Sequence, residues 1–481
     1  MEVYEATIGM EVHAELKTAT KMFCNSKNDP NEESPNVNVC PVCLAHPGTL
    51  PVINKEAVGH VLRVGAAIGS TLADYTEFDR KNYFYPDLPK GYQISQFEFP
   101  LVLGGELNGV AITRIHLEED TASSIHNDAT GTTLIDYNRA GVPLMELVTE
   151  PVIKSAEQAG AFGRELQVLL RTLGVSEANM EKGQMRVEAN VSVAKPGERS
   201  IAYVEIKNLN SFRAMERAIA YEIKRQTLML EKGEVLVKQT LGWDENKQAT
   251  FPQRTKEGSA DYRYFPDPDL PSLKLSEIAE FGREIIVNAL PELPAQKRLR
   301  YADFGIKKDD IEMYIRNDVL GSFFEEVIAS YTDKSTIALA SNYIANDLIK
   351  IIRDLETRDT EKEDKMIMSV PISVENFKSI IGMIVDKKIS SRSAKDLLAL
   401  SVVDARNPQE IAKEKGLLQM SSTADIEAVI VRIIDENKTV VEEFKSGKVS
   451  ALEFLVGQGM KAFKGAVDPN TLRETFLKKL S

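Results

Sequence analysis

The sequence predicts an α+β protein, in which a domain built mainly on an antiparallel sheet is followed by helical segments. Short runs that alternate apolar and polar residues recur through about the first 290 positions, as half-buried strands do. From Glu292 onward helix-forming residues dominate and this alternation disappears. Because 481 residues exceed what one hydrophobic core usually serves, we expect more than one domain.

Four strand patterns and two helix patterns define the predicted sheet domain. The alternating runs cover residues 8–16, 109–120, 184–193 and 202–210. Ser155 stands three residues before Gln158, as in a capping box, and Gly174 closes the helical spacing that follows. A second helical pattern covers residues 214–233 and also ends on a glycine. This mixture of elements is typical of an α+β domain.

Proline-rich segments mark the end of the sheet domain. Residues 265–273 and 290–297 cannot continue a helix or a strand, because proline lacks a backbone N–H and fixes φ. A softer boundary lies near residues 403–408. Near the end of the chain, Asp468 and Pro469 have the pattern of a helix N-cap and first helical residue.

Composition narrows the class of protein. Apolar residues make up 43% and charged residues 27%, as in ordinary globular proteins, and no apolar run is long enough to cross a membrane. The first residues are acidic rather than basic and apolar, so we expect no secretory segment. Three cysteines do not make a disulfide framework and indicate a reducing cytoplasm. The net charge of −13 argues against a protein that grips nucleic acid with its whole surface, but leaves room for a local basic face.

Acidic and amide side chains are dense at the predicted strand positions. Glu11 and His13 lie two residues apart, so on a strand they share one face. Other such residues follow on later strands: Glu118, Glu119, Asp120, Glu146, Glu188, Asn190 and Glu205. Carboxylates gathered on one side of a sheet repel each other unless a cation neutralises them, and one histidine among carboxylates suits Mg²⁺ or Mn²⁺ better than zinc. The alternative is a solvated acidic face.

Two segments interleave cations with aromatic rings, as sites for phosphates and stacked bases do. Residues 78–100 and 254–271 contain Arg80, Lys81, Lys90, Tyr83, Phe84, Tyr85 and Tyr92, then Arg254, Lys256, Arg263, Tyr262 and Tyr264. The alternative is that these rings belong to turns and simply fill the core. The sequence has no phosphate-binding glycine loop, dinucleotide fingerprint or serine elbow. Any nucleotide chemistry would therefore use sheet residues and a metal.

The cysteines form an incomplete zinc motif. Cys40 and Cys43 have C-x₂-C spacing and Cys24 lies upstream, which leaves one ligand missing. His46 is the candidate for the fourth ligand. A set of three free thiols is the alternative.

Seven strings carry a resemblance to a known family: IGMEVHAELKT, CPVCLAHPGTLPVIN, FDRKNYFYPDLPKGYQISQ, HLEED, DYNRAGVPLMELVTEP, VEIKNLNSFR and KEGSADYRYFPDPDLP. Together the chain resembles the B subunits of the aspartyl/glutamyl-tRNA amidotransferases over nearly its whole length. The resemblance implies a cradle domain over residues 1–292, a helical domain over 293–405 and a helical tail over 406–481 that contacts the tRNA. The last forty or so residues are locally basic, which fits phosphate contact.

The resemblance also implies an activity and its partners. The side-chain carboxylate of glutamate or aspartate on misacylated tRNA would attack ATP and form an acyl phosphate, which ammonia then converts to the amide. ATP and Mg²⁺ are the implied cofactors. The implied partners are the amidase, or A subunit, which releases the ammonia, the small C subunit of the same complex and the misacylated tRNA.

Site residues carried over from the resemblance fall into three groups. The catalytic residues would be His13, Glu119, Lys81 and Arg263. The metal ligands would be Glu11, His13, Glu119, Glu146, Glu188 and Glu205. ATP and the acceptor end of tRNA would contact Lys90, Tyr83, Tyr92, Asn208, Asn210 and Lys256.

The chain departs from the family pattern at two positions, and three other interpretations are open. Ser26 stands where many members have a further cysteine, and Glu188 stands where the family usually has aspartate. The alternatives are the related archaeal E subunit, which has an inserted domain for which this chain has no room, a non-catalytic RNA-binding scaffold, and a metal-dependent hydrolase that lacks an obvious nucleophile.

Overall fold

The structure is a computed structural model that describes residues 3–29, 31–127, 129–198, 200, 202–254, 261–356, 367–419, 423–463, 467 and 469–480. It divides into two compact units, Met1–Pro294 and Ala295–Ser481. Strands β1 to β17 are Glu5–Glu15, Thr71–Leu72, Tyr75–Thr76, Asp79–Asn82, Tyr92–Ser95, Val102–Leu103, Glu106–Leu107, Val110–Glu119, Ser123–Asn127, Thr132–Asp136, Pro143–Thr149, Met185–Ala194, Val204–Leu209, Gln239–Asp244, Ala249–Arg254, Phe265–Pro266 and Leu273–Lys274.

Helices α1 to α16 are Lys55–Ala67, Ala156–Thr172, Phe212–Glu231, Arg283–Asn288, Pro294–Asp303, Lys308–Arg316, Asp318–Ile328, Lys334–Asn342, Ile349–Glu356, Val374–Val385, Ser391–Val403, Pro408–Glu414, Thr423–Glu436, Lys438–Lys445, Ser450–Ala462 and Pro469–Leu480. Two 3₁₀ turns, Leu275–Glu277 and Ala279–Phe281, precede α4, and a π-helical segment, Tyr343–Leu348, joins α8 to α9. Within the described part of the chain, no helix combines the length and apolar character needed to cross a membrane.

A ten-stranded sheet organises the first unit. Its order is β15-β14-β13-β12-β1-β11-β8-β6-β2, with β7 also paired to β8. Among the described pairs of this sheet β13 and β14 run parallel, and the other pairs are antiparallel. The predicted α+β fold with a mainly antiparallel sheet is confirmed.

One face of this sheet is apolar and packs on helices α1, α2 and α3. The even-numbered residues of β1, from Ala6 to Ala14, are buried, together with the alternate residues of β12. Helices α2 and α3 begin as the sequence predicts: Ser155 and Ser211 cap them by accepting backbone N–H bonds from Gln158 and Ala214. Gly174 has φ of +65°, the left-handed conformation that ends α2.

The opposite face is polar and is partly covered by a small sheet of order β16-β4-β5. The hydroxyl of Ser95 on β5 donates to the Glu118 carboxylate of β8 at 3.0 Å, so this sheet lies against the polar face. Glu118 is therefore shielded from bulk solvent, whereas other side chains of this face, such as Glu11, stay partly exposed.

The second unit is helical in its described residues. Helices α6 and α7 share a stacked ring pair, Tyr314 and Phe324, with centroids 4.2 Å apart. Helices α13 to α16 close around a separate apolar cluster that includes Ile430, Leu455 and Phe476. Helix α16 starts at Pro469, as predicted, whereas Asp468 lies outside the described residues. The division of this unit at residue 405 stays a prediction.

Candidate metal and substrate site

Strand register assembles the central part of the site on the polar face. Glu11 and His13 share this face of β1, as predicted from their spacing. His13 pairs across the sheet with Glu146 of β11, and Glu146 in turn pairs with His116 of β8. Glu118 shares the face of His116, because it lies two residues further along β8. Five ligand-type side chains from three strands therefore meet.

Short distances make this group one cluster, which we call the carboxylate–histidine cluster: Glu11, His13, His116, Glu118 and Glu146. The His13 Nε2 atom lies 3.3 Å from a Glu146 oxygen and 3.8 Å from oxygens of both Glu11 and Glu118. The His116 Nε2 atom lies 3.2 Å from the Glu146 carboxylate. The Glu118, His116 and Glu146 side chains are buried, so their charges are poorly screened.

The pKa shifts in the cluster reflect burial, repulsion between carboxylates and attraction between carboxylates and histidines. Burial and the nearby Glu146 carboxylate raise the pKa of Glu11 to about 7. Burial alone would lower the pKa of His13, but its hydrogen bond to Glu146 and the surrounding carboxylates raise that pKa to about 9. Burial likewise opposes ionisation of Glu146, but His116 and His13 hold its pKa well below the usual range. The cluster is therefore an anionic site that recruits positive charge.

The donor set fits a divalent cation. Glu11, His13 and Glu146 offer ligand atoms within 4.8 Å of one another, and so do His116, Glu118 and Glu146. The His116 Nδ1 atom is buried and, within the described residues, has no hydrogen-bond partner. Carboxylate oxygens suit Mg²⁺, and the two imidazoles extend the range to Mn²⁺.

Lys81 of β4 faces the same cluster. Burial lowers the pKa of its ammonium group, but the carboxylates of Glu118 and Glu146 outweigh burial and raise it. The Tyr264 hydroxyl also lies near Lys81, and the Lys81 Nζ atom stands 5.1 Å from the centre of the Tyr262 ring. The Tyr83 hydroxyl, on the same segment, donates to the Gln93 side chain at 3.2 Å. A half-buried cation beside ligand-type carboxylates is suited to hold an anionic substrate group.

Glu188 and Glu205, two further predicted ligands, form a separate group around Lys207. The Lys207 ammonium donates to both Glu188 oxygens, at 2.7 and 2.9 Å, and lies 3.3 Å from Glu205. Glu205 also accepts from the Thr240 hydroxyl at 2.7 Å. Glu188 pairs across the sheet with Glu11, so this group adjoins the carboxylate–histidine cluster but carries its own cation.

Glu119, a predicted catalytic residue and ligand, points to the other side of β8, away from His13. Its carboxylate accepts from the Lys90 ammonium at 2.7 Å and from the Ile94 backbone N–H at 2.9 Å. Among the described residues, Glu118 rather than Glu119 is the member of the triplet that joins the cluster. The reason is the two-residue period of a strand, which places neighbouring side chains on opposite sides.

A cavity of about 220 Å³ lies on the Glu119 side. Lys90, Tyr92 and Glu119 line it, together with Cys24 and Cys43. The guanidinium of Arg80 stacks on the Tyr92 ring, 4.3 Å from its centre, and is held by Asp267 at 3.0 and 3.2 Å. The predicted substrate residues Lys90 and Tyr92 therefore surround this cavity, whereas Lys81 and Tyr83 belong to the cluster side.

The remaining predicted contacts lie further out. The Arg263 side chain is 82% exposed and pairs with Asp261, and its backbone has φ of +45°. Asn208 and Asn210 are exposed at the end of β13, where the strand register shifts. Lys256 lies outside the described residues.

The three cysteines come together without a fourth zinc ligand among the described residues. Their sulfur atoms lie within 4.8 Å of one another, and His46 is exposed and is not a member of this group. A hydrogen bond from Cys24 lowers the pKa of the Cys43 thiol to about 4, with further help from the Cys40 backbone N–H and the Lys21 ammonium. The zinc motif is incomplete in the structure as it is in the sequence.

Sequence reasoning missed His116, Lys207 and Lys21, and it left Glu118 in the acidic triplet without a role. Two of these had a readable signal: His116 lies two residues before Glu118, and Lys207 lies two residues after Glu205, each on one strand. Lys21 had no signal, because only the folded chain brings it to the cysteines.

Fold and site together define a class: an α+β protein whose sheet holds carboxylates and imidazoles able to ligate a metal ion, with lysine ammonium groups beside them. Enzymes for phosphorylated substrates combine such groups. Comparison with known proteins gives the family. Residues 6–279 match the GatB/GatE catalytic domain, and residues 322–480 match the GatB domain.

Full-length relatives agree with these matches. The chain is 42% identical over 482 residues to a protein of Thermus thermophilus, covering 99% of each chain, and 38% identical over 494 residues to one of Carboxydothermus hydrogenoformans, covering all of both chains. Both relatives are named as the B subunit of aspartyl/glutamyl-tRNA(Asn/Gln) amidotransferase. The chain belongs to this family of B subunits, and the resemblance drawn from its sequence strings is confirmed.

Proposed function

We propose that this chain uses ATP to activate the side-chain carboxylate of glutamate or aspartate carried on a misacylated tRNA, so that ammonia converts it to the amide. The observation that carries the proposal is the carboxylate–histidine cluster with the half-buried Lys81 beside it. The names of the relatives support the substrate class.

Charge neutralisation is the physical requirement of the first step. The substrate carboxylate attacks the γ-phosphate, which brings two anions together, and an acyl phosphate and ADP result. Glu11, His13 and Glu146, with His116 and Glu118, would hold Mg²⁺, which supplies positive charge to the phosphate oxygens. The Lys81 ammonium is placed to hold an anionic oxygen next to that position.

The second step requires an unprotonated amine and little bulk water. Ammonia attacks the acyl carbon, and inorganic phosphate leaves. We assign the release of ammonia from glutamine to a separate amidase, the A subunit, supported by the small C subunit. The sequence lacks a serine-rich amidase signature, which agrees with that division of labour.

The acceptor end of the tRNA would enter near the cavity lined by Lys90 and Tyr92. Phe84 and Tyr85, on the connection between β4 and β5, are 87% and 63% exposed and offer rings on which unpaired bases stack. We assign ATP to the cluster side with Lys81, since phosphates need the cations there. Arg263, Asn208 and Asn210 stay predicted contacts at the rim, and a cytoplasmic location follows from such a substrate.

The helical tail, residues 406–481, would contact the body of the tRNA. Its basic side chains are partly neutralised, since Lys448, Arg473 and Lys479 pair with Glu443, Glu453 and Glu427. These pairs are exposed and weak, so phosphates compete for the same cations.

The decisive experiment measures release of labelled phosphate from γ-labelled ATP by the complex of this chain with the A and C subunits. Mg²⁺ is present, and glutamyl-tRNA and aspartyl-tRNA are tested in turn. We expect release that depends on misacylated tRNA and falls by about a hundredfold or more in His13→Ala. His126→Ala is the matched control, because His126 is exposed on β9 and bonds only to Thr133 among the described residues.

Three outcomes separate the interpretations. Release lost in His13→Ala and retained in His126→Ala supports the proposal. Release unchanged in both variants would leave the activity in place and remove it from the cluster. No release by wild type with either tRNA would favour the non-catalytic scaffold.

A further inference from the structure

Cys40 and Cys43 lie on a single helical turn, with their sulfur atoms 3.8 Å apart. The turn is defined by the bond from the Leu44 backbone N–H to the Cys40 carbonyl at 3.0 Å. Residues three apart on such a turn have Cα atoms about 5 Å apart, within the range of Cα separations that a disulfide spans. Little movement therefore separates the two thiols from a bond.

The Cys43 sulfur is surrounded by hydrogen-bond donors. The Cys40 backbone N–H lies 3.1 Å from it, and the Ser26 hydroxyl and the Lys21 ammonium each lie 3.7 Å away. Three features favour a thiolate over a neutral thiol: a short N–H contact, a hydroxyl and a cation. Burial of the sulfur acts in the opposite direction, and the hydrogen bond from Cys24 together with these three donors outweighs it.

The environment of Lys21 independently favours a thiolate on Cys43. The side chain of Lys21 is fully buried, and its ammonium donates to the Tyr137 carbonyl at 3.1 Å as well as to Cys43. A buried ammonium needs an anion, because the cost of leaving it unpaired is several kcal/mol. Of these two hydrogen-bond partners of Lys21, Cys43 is the one able to carry a negative charge.

Zinc does not fit this group. The chain has three cysteines in total, His46 is exposed outside the group, and Ser26 offers a hydroxyl. Structural zinc takes four ligands, and here the Lys21 ammonium already supplies the positive charge at the Cys43 sulfur. The group is arranged as an ion pair with a neighbouring thiol.

We propose that Cys40 and Cys43 form a reversible disulfide when the protein meets a peroxide. The Cys43 thiolate attacks one peroxide oxygen, the O–O bond breaks, and the products are a sulfenic acid on Cys43 and, with one proton, water. The Cys40 thiol then attacks the Cys43 sulfur, the S–O bond breaks, and a second water leaves with the thiol proton. Two thiols are oxidised by two electrons and hydrogen peroxide is reduced.

The position of Cys43 explains how the oxidant arrives and why Cys24 stays out of the bond. Cys43 lines the cavity of about 220 Å³, which admits a molecule as small as hydrogen peroxide. Cys24 stays out of the bond because Cys40 shares a turn with Cys43, with the two sulfur atoms 3.8 Å apart, whereas Cys24 belongs to a separate segment of the chain. Oxidation also removes the anion that Lys21 holds, so the wall of this cavity loses an ion pair.

The test treats the reduced full-length chain with hydrogen peroxide, alkylates free thiols with N-ethylmaleimide and identifies peptides by mass spectrometry without reduction. We expect a peptide in which Cys40 and Cys43 lack two hydrogen atoms and escape alkylation, while Cys24 is alkylated. Dithiothreitol should reverse the change. The Cys24→Ser and Cys40→Ser variants form a matched pair.

Each variant has a defined result. Cys24→Ser should form the same disulfide at about the wild-type rate, whereas Cys40→Ser should stop at a sulfenic acid on Cys43 that dimedone traps. Lys21→Met should slow oxidation by about tenfold or more, and Lys27→Met, which changes an exposed lysine nearby, should not. Since Lys21→Met removes a buried charge, its circular dichroism is compared with wild type first, and the serine variants carry the test if it does not fold.

The proposal would be overturned by three results. These are alkylation of all three cysteines after peroxide treatment, a disulfide that contains Cys24, and one zinc ion per chain in protein purified from zinc-replete cells.

Discussion

Glu118 and Glu119 are adjacent on β8 and offer a matched test of the site, because the same Glu→Gln change probes its two sides. One Glu118 oxygen lies 3.8 Å from the His13 Nε2 atom, within the carboxylate–histidine cluster. Glu119 instead accepts from the Lys90 ammonium at 2.7 Å and from a backbone N–H at 2.9 Å. Both side chains are 3% exposed, so burial does not distinguish them.

We expect Glu118→Gln to impair metal binding and leave stability nearly unchanged. The substitution replaces an anionic oxygen ligand with a neutral one, so affinity for Mn²⁺ should fall by about tenfold or more. In the metal-free protein, one carboxylate fewer also relieves repulsion with Glu11 and Glu146, which offsets the lost attraction to His13 and Lys81. Release of phosphate by the assembled complex should fall with the affinity.

Glu119→Gln should instead lower stability and leave metal binding nearly unchanged. Removing one partner of a buried ion pair costs about 3–5 kcal/mol, because the other charge is left behind. The Lys90 side chain is 15% exposed and regains some hydration, so we reduce this to about 2–4 kcal/mol. For a unit of this size the midpoint of thermal unfolding should drop by roughly 4–8 °C. Affinity for Mn²⁺ should stay within about twofold of wild type.

A single tryptophan makes the measurement specific. Trp243 lies in β14 of the first unit, so its fluorescence during urea unfolding reports that unit alone. Isothermal titration calorimetry with Mn²⁺ measures the affinity of the same samples. The placement of the two side chains is refuted if Glu119→Gln loses the metal while Glu118→Gln keeps it, or if both variants lose equal stability.

Three further predictions follow from separate parts of the structure. Lys81→Met should lower phosphate release by the complex by about a hundredfold with little change in Mn²⁺ affinity, since the lysine serves an anionic substrate group; equal loss of both would contradict this role. Burial and the nearby Asp120 carboxylate raise the pKa of Glu15 to about 8, so its ionisation opposes folding as pH rises. The gain in unfolding free energy of Glu15→Gln over wild type should therefore grow from about pH 5 to about pH 9 in urea titrations, and a constant difference would refute it. Gly65→Ala would place a Cβ atom 2.6 Å from a Val102 methyl carbon and should cost about 1–3 kcal/mol by Trp243 fluorescence; a neutral result would show that α1 shifts freely.

Many of the strands and helices were predictable because their local sequence signals agree with the face that each element buries in the core. The alternation in residues 8–16 and 184–193 reflects a sheet with one apolar face, and β1 and β12 occupy Glu5–Glu15 and Met185–Ala194. The capping box at Ser155 and the glycine at 174 mark the ends of α2 because both satisfy backbone groups locally. The strand order was not predictable, since β1 lies between β11 and β12, whose positions in sequence are more than a hundred residues away.

The types of residue in the candidate site were predictable from the sequence, but which residues belong to it was predictable only in part. Spacing places Glu11 and His13 together, but bringing Glu146 to His13 requires the register of β1 against β11. The choice between Glu118 and Glu119 depends on which side of β8 faces the core, and the buried Leu117 settles it in favour of Glu118. A shift of one residue along β8 thus separates Glu118, which joins the cluster, from Glu119, which forms an ion pair with Lys90.

The two acidic groups on the polar face differ in how far their negative charge is already neutralised, and this difference decides which of them is better suited to bind a metal cation. Around Lys207, two carboxylates share one ammonium at hydrogen-bond distance, so a metal there would first have to displace a bound lysine. In the carboxylate–histidine cluster, burial and repulsion from Glu146 together raise the pKa of Glu11 despite the presence of His13. A divalent cation removes that repulsion and gains three carboxylates without breaking a lysine ion pair. We therefore infer that the metal occupies the cluster, and that Glu188 and Glu205 act through Lys207, which a phosphate oxygen of the substrate is able to draw away from them.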